Sequence, residues 1–386
     1  MRITFTSIFL LFFSIVMCQE KKEITVIDKS TRKPIELVHV YYPNLDIGSI
    51  SNAEGVVKID KQLRDTIAFS NVAFKTKIIV SDIALPDTVY LEPSDYFLDE
   101  IVVGYNLRKK IEEVLQYYNE NYLISSSLNR CTYKEVIKVD DNISRLNQVQ
   151  LDWWSKKSSF RKRRKLENEN KFSLRSIDYA KRDTAFVSKC FLNNRYLLPR
   201  LYISWYLDAL LKIVDDNTII INKVEKNHLQ TKVVFSTNDY IKEGSLLYNL
   251  VKNYIIFDNK SNAVTEIYWN AVNKDEVRKR IRGKSGEKFT IENKRQVFHL
   301  SLQKLNNNKW TINYFHSRAI AEVFYQGKKH QTDIEQGFVI TGVSKDKLDG
   351  DIIDIDRPFY LNFPTHTSIK NTLVLTKEEL QYINKK

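Results

Sequence analysis

Two basic clusters are the stretches most able to do chemistry. Lys156 to Lys165 holds seven Lys/Arg in ten positions, including Arg161, Arg163 and Arg164, and follows directly on Trp153 and Trp154. Clustered guanidinium groups bind phosphate or carboxylate in paired hydrogen bonds. Adjacent indoles can stack on a sugar or lie at a membrane interface. Arg278, Arg280 and Arg282 alternate with Lys279 and Ile281, so an extended strand would carry all three on one face. Both clusters point to an anionic glycan or a lipid headgroup. The plain alternative is a solvated hairpin end whose charge discourages edge-to-edge pairing.

Other chemistries find no support. Gly283-Lys284-Ser285 mimics a phosphate loop, but Arg278 stands where that loop needs its first glycine, and no strand-to-helix context surrounds it. His39, His228, His299, His316, His330 and His366 are scattered, and none has the His-x-x-Glu or His-Glu-x-x-His spacing of a helical zinc site. His299 and His316 fall on neighbouring hairpin strands where they can face each other, without a third ligand. Asp349, Asp351, Asp354 and Asp356 lack the order of a calcium loop, and a polar-alternating strand explains them as well. No nucleophile elbow occurs. A non-enzymatic protein without metal or cofactor is expected.

The elements that must position these residues are mostly strands. A helix is predicted over Tyr105–Leu123, because Ile111, Val114, Leu115, Tyr118 and Tyr122 recur at helical spacing. Long hairpins follow: Thr132–Val139 with Ile143–Trp154, Thr218–Val224 with Leu229–Ser236, Tyr254–Asp258 with Ala263–Trp269, and Gln296–Leu305 with Lys309–Tyr325, the last followed by His330–Val343. Sequential long hairpins predict a curved antiparallel meander. An aromatic-rich helix is predicted over Leu197–Val214, as a lid or a core helix. N-terminal to all this, short runs recur every eight to twelve residues, the spacing of a sandwich: Glu23–Asp28, Ile35–Tyr42, Val56–Asp60, Thr66–Ser70, Thr76–Val80, Thr88–Glu92 and Glu100–Val103. Gly48 and Gly55 bracket an expected turn with positive φ.

The landmarks Val26–Asp28, Pro34, Ile35, Val38, Val40, Gly48, Asn52, Gly55, Ile67–Ser70 and Leu98–Val103 fall in an order that resembles the carboxypeptidase-regulatory-like domain. That domain is a prealbumin-like β-sandwich that also accompanies TonB-dependent receptors. The chain departs from the pattern at Val72-Ala73-Phe74, where a glycine usually precedes the aromatic ring. The resemblance covers about the first quarter of the chain and implies a non-catalytic accessory module. The remainder is similar, in architecture only, to the half-barrel of periplasmic lipoprotein carriers, which implies an acyl chain on the concave face.

Length and charge complete the expectation. At 386 residues about two domains are expected: a signal peptide over 1–19, the sandwich over 23–104, and a helix plus antiparallel sheet over 105–386. Arg2 precedes a short apolar run with charges directly after it, the pattern of a signal peptide rather than a membrane helix. Cleavage near Cys18 is preferred to a lipid anchor there, because Met17 is larger than the residue that normally precedes a lipidated cysteine. Export permits a disulfide between Cys131 and Cys190, with two separately buried thiols as the alternative. Residues 23–104 carry eight Lys/Arg against thirteen Asp/Glu, a net −5; residues 1–22 contribute +2, so 105–386 carry +16 of the overall +13. A basic domain on an acidic module meets something anionic, or its lysines simply solvate a large sheet. Nucleic acid is disfavoured by the expected compartment, and no membrane-spanning segment is expected. The reading is an exported protein of the periplasm, cell surface or outer membrane that binds or scaffolds. Anionic glycan or lipid and other envelope proteins are its expected partners. A lipid carrier with an apolar cavity is the alternative.

Overall fold

The computed structural model describes residues 21–385 apart from 44, 46, 61–64, 72, 81–84, 95–96, 99–103, 160–165, 184–196, 216–217, 244–245, 275–277, 283–287 and 368–372. The chain is mainly β. Seven strands come first: β1 (Lys21–Asp28), β2 (His39–Tyr42), β3 (Ile47–Ile50), β4 (Val56–Asp60), β5 (Thr66–Ser70), β6 (Lys77–Val80) and β7 (Thr88–Leu91). They form two small sheets, ordered β4-β1-β7 and β3-β2-β5-β6. Alternate residues of both, among them Ile24, Val26, Val40, Val57, Ile67, Phe69 and Val89, close on one apolar core. The result is a β-sandwich.

Two details differ from expectation. The strand expected over Ile35–Tyr42 begins only at His39. Ser51 takes over before it, its Oγ accepting from Val38 N and donating to the Ile35 carbonyl at 2.9 and 2.8 Å. The turn expected from Gly48 to Gly55 is shorter, because Ile47–Ile50 is itself a strand. Gly55 does have positive φ, +74°, and an added Cβ there would lie 2.6 Å from the Val26 carbonyl oxygen. Gly48 instead makes room: a Cβ would lie 2.8 Å from His39 Nε2.

A second, much larger antiparallel sheet follows. Its strands are β8 (Phe97–Leu98), β9 (Ser127–Val139), β10 (Asn142–Ser155), β11 (Asn170–Arg182), β12 (Ile219–Lys226), β13 (Gln230–Thr237), β14 (Ile241–Glu243), β15 (Leu246–Leu250), β16 (Asn253–Asp258), β17 (Val264–Asn273), β18 (Arg278–Arg282), β19 (Lys288–Lys304), β20 (Trp310–Tyr325), β21 (Lys328–Ser344) and β22 (His366–Thr367). Twelve run in the order β22-β11-β10-β9-β21-β20-β19-β17-β16-β13-β12-β8; β15 joins β17 and carries β14, and β18 joins β19. The sheet is open, since β22 and β8 lie at opposite ends of that order. The tight turn expected at Asp140 is present: Asp140 and Asp141 both have positive φ, 49° and 64°, the backbone of a type I′ hairpin. Register shifts interrupt the ladders β9/β10, β10/β11 and β19/β20, and such bulges bend the strands they occupy.

One face of this sheet holds the larger core. Helix α1 (Leu107–Gln116) starts where Asn106 caps Lys109 N at 2.9 Å, and it buries Leu107, Ile111 and Val114. Helix α2 (Ile203–Asp215) buries Tyr206, Leu207 and Leu210 against Trp269, Phe235 and Phe257. Phe359 and Phe363 fill the same face beside Tyr133 and Phe338. The Asp349–Asp356 run is a loop rather than the expected strand, with Ile353 and Ile355 buried and the aspartates outward. A last helix, α3 (Lys377–Asn384), starts with a capping box between Thr376 and Glu379 and packs on β10. No helix among the described residues is long and apolar enough to cross a membrane.

Candidate functional site

Strand alternation separates the two indoles. Trp153 is 1% exposed, stacked on Phe172 with ring centroids 5.8 Å apart, and its Nε1 donates to Asn170 at 2.8 Å. Trp154 faces the other way, half-buried, with the Lys171 ammonium 5.8 Å from its ring. Only Trp154 therefore offers a ring near the surface. Arg161, Arg163, Arg164 and Cys190 lie outside the described residues. Arg278, Arg280 and Arg282 alternate along β18, in register with Glu292, Thr290 and Lys288 of β19. Cys131 is fully buried in the large core, where burial pushes its thiol up.

The residues the structure does bring together lie on the other face of the large sheet. Tyr254, Tyr268, His299 and His316 are successive cross-strand partners on β16, β17, β19 and β20. The expected meeting of His299 and His316 is thus realised, as the middle of a four-ring row. Tyr254 and Tyr268 stack at 5.3 Å, and His299 stands edge-on to Tyr268 at 5.8 Å. The next position in the row is Gly337 on β21, where a side chain is missing. The sandwich packs on β21 through β3.

His299 is fully engaged. Its Nε2 lies 2.7 Å from Glu266 Oε1, which also accepts from the Tyr254 hydroxyl at 2.7 Å. The Tyr314 hydroxyl lies 2.9 Å from Nδ1. Burial, and next the Glu266 charge, hold the Tyr254 and Tyr314 phenols well above their usual range. His316 is pushed down to about 4, by burial first and then by His299, Arg318 and Lys134. His39, on the sandwich side, is pushed down to about 3 by burial. Both nitrogens of the His299 ring are thus held by protein groups. These groups are an ordered polar lining.

Of the sheet groups, Glu266, His299 and Tyr314 line a groove of about 820 Å³ between the sandwich and the sheet. The sandwich contributes His39, Tyr41, Asn71, Phe74, Lys75 and Thr76; the sheet contributes Gln230, Thr265, His299, Ser301, Gln303, Lys304, Trp310, Asn313 and Tyr314. Trp310 is fixed from behind, its carbonyl accepting from Leu123 N at 2.9 Å, and the Lys304 ammonium lies 5.6 Å from its ring. Two buried lining atoms, His39 Nε2 and Asn313 Oδ1, have no protein partner. Buried polar groups in native proteins normally find one, or a water or ligand. Among the described residues no three His, Cys, Asp or Glu side chains are grouped to hold a metal.

Sequence reasoning did not find this groove, because its two walls are separated by some two hundred residues. The local signals were present only as hydroxyl- and amide-rich strands such as Gln296–Leu305. Comparison of the chain with models of protein families, with curated proteins and with solved structures finds no match.

Proposed function

We propose that this chain is a non-catalytic binding protein of the cell envelope that holds an anionic glycan in the groove between its two domains. The observation that carries this reading is the groove's composition. Amides and hydroxyls match the donors and acceptors of sugar hydroxyls, Tyr41 and Trp310 supply rings for stacking, and Lys75 and Lys304 supply positive charge. The +16 charge of residues 105–386 adds long-range attraction for an anion, to which Arg161, Arg163 and Arg164 contribute. The apolar run ahead of Cys18 supports export, and the resemblance of the first quarter to a carboxypeptidase-regulatory-like module supports an accessory rather than catalytic part.

The carrier alternative draws no such support. An acyl chain needs an apolar cavity of several hundred Å³. Among the described residues, the space beside Tyr122, Trp153, Tyr202 and Trp310, between the sheet and its helices, is about 30 Å³, room for about two or three waters.

Calorimetric titration with hexameric galacturonate and with neutral cellohexaose tests the reading. Galacturonate is expected to bind at least about tenfold more tightly at low salt, a difference of about 1.4 kcal/mol. Tyr41→Ala and Lys304→Gln are each expected to weaken it. Equal affinity for both sugars, or an undiminished affinity in both variants, would overturn the glycan groove.

A further inference from the structure

The sandwich has a second feature, which borders the groove at Lys75 and Thr76. Among the described residues its two sheets each end in a strand with a free side: β6 pairs only with β5, and β7 only with β1. The two strands touch at one end, where Lys75 N donates to the Glu92 carbonyl at 2.8 Å and Phe74 bridges to Pro93. They then separate without a ladder, leaving a cleft of about 700 Å³. The Lys77 ammonium spans it to the Tyr90 carbonyl at 3.3 Å. Apolar side chains are left outward along these edges: Ile78 is 63%, Val80 52% and Tyr90 37% exposed.

The charge around this cleft runs against the rest of the module. The sandwich carries thirteen acidic residues and eight basic ones, yet four of those eight, Lys29, Arg32, Lys75 and Lys77, line the cleft, where among the described residues Glu92 is the one acid and pairs with Lys29 at 2.5 Å. An open sheet edge usually carries inward charges or a cover. Here two open edges flank a basic cleft with exposed apolar side chains. We infer that this cleft receives an extended acidic segment of a partner protein, which adds as a strand to β6 while its carboxylates meet the basic rim. Main-chain pairing supplies affinity in such strand addition, and alternate side chains supply selectivity. The free main-chain edge favours a peptide over a polysaccharide, and the basic rim disfavours pairing of β6 with its own copy.

The probe is a dye-labelled ten-residue peptide of alternating Glu and Val, titrated into the full chain by anisotropy, with backbone hydrogen exchange of the complex. Saturable binding that slows exchange of the 77–80 amides is expected. Lys77→Glu combined with Arg32→Glu should weaken it by at least about tenfold, and so should Ile78→Arg, a change at an exposed position that leaves the fold intact. A peptide with Lys in place of Glu should not bind. Absence of binding, binding without protection of 77–80, or equal protection by polygalacturonate would overturn strand addition. The cleft shares only Lys75 and Thr76 with the glycan groove, so Tyr41→Ala, expected to weaken glycan binding, should leave peptide binding unchanged.

Discussion

Arg145 Nε donates to Glu135 Oε1 at 2.6 Å, and both side chains are almost completely withdrawn from water, at 0% and 1% exposed. The guanidinium also lies 3.7 Å from the Tyr360 ring centroid. Glu135 further accepts from Tyr133, Asn147 and Gln336 at about 3 Å. This polar layer crosses the otherwise apolar face of the large sheet. Removing one partner strands a buried charge, which costs about 3–5 kcal/mol, whereas replacing both with apolar groups costs far less. Glu135→Leu is therefore expected to lower the urea midpoint sharply, and Glu135→Leu with Arg145→Met to recover much of it. A double variant no more stable than the single one would show that the charges do not act as a pair.

Acid is expected to loosen the seam between the domains. An ordinary imidazole takes its proton near 6.5, whereas His39 and His316 are held neutral down to about 3 and about 4. Between 6.5 and those values the unfolded chain binds protons that the folded chain refuses. Their contribution is thus complete above pH 6.5 and is lost as pH falls, by at most about 1.4 kcal/mol per pH unit for each ring. His316 also feels Arg318, Lys134 and His299 against it and Asp333 in its favour. Melting temperature should fall between pH 6.5 and 4.5, less steeply in His39→Gln with His316→Gln. An equal slope in that variant would move the acid sensitivity to carboxylates.

Tyr122 ties the N-terminal helical segment to the sheet. Its hydroxyl donates to the Val264 carbonyl at 3.0 Å and accepts from Val264 N at 2.8 Å. Tyr122→Phe keeps the ring and removes both hydrogen bonds, at about 0.5–1.5 kcal/mol each. A loss of stability of about 1–3 kcal/mol in all is expected, with faster hydrogen exchange in 107–121. A loss below about 0.5 kcal/mol, the scatter of ordinary surface changes, would mean that water replaces the hydroxyl.

The hairpins of the large sheet were legible because their turns carry their own chemistry, as at Asp140 and Asp141 and at Gln326 and Gly327, all with positive φ. The strand β11 was not, because bulges against β10 between Gln148 and Leu151 break its alternation. Helix α3 has a readable signature in Thr376 and Glu379, whose side chains cap each other's main chain, though its short apolar face gives little periodicity. Of the ring row only the histidines could be paired in advance, since they share one hairpin. The groove was invisible to periodicity: a strand's outward polar residues read the same whether they face water or another domain.

The short strand β8 falls by sequence inside the stretch expected to be sandwich, yet Phe97 and Leu98 pair with Lys226 and Glu225 at the end of the large sheet, which makes this stretch a connection. The connection is thereby a hem as well as a tether. Cutting the chain after residue 104 to isolate the large domain would unpick that hem and bare β12 to solution. Proteolysis between the domains would then yield a sticky fragment, and the module could not be lost or exchanged without a new finish for that border.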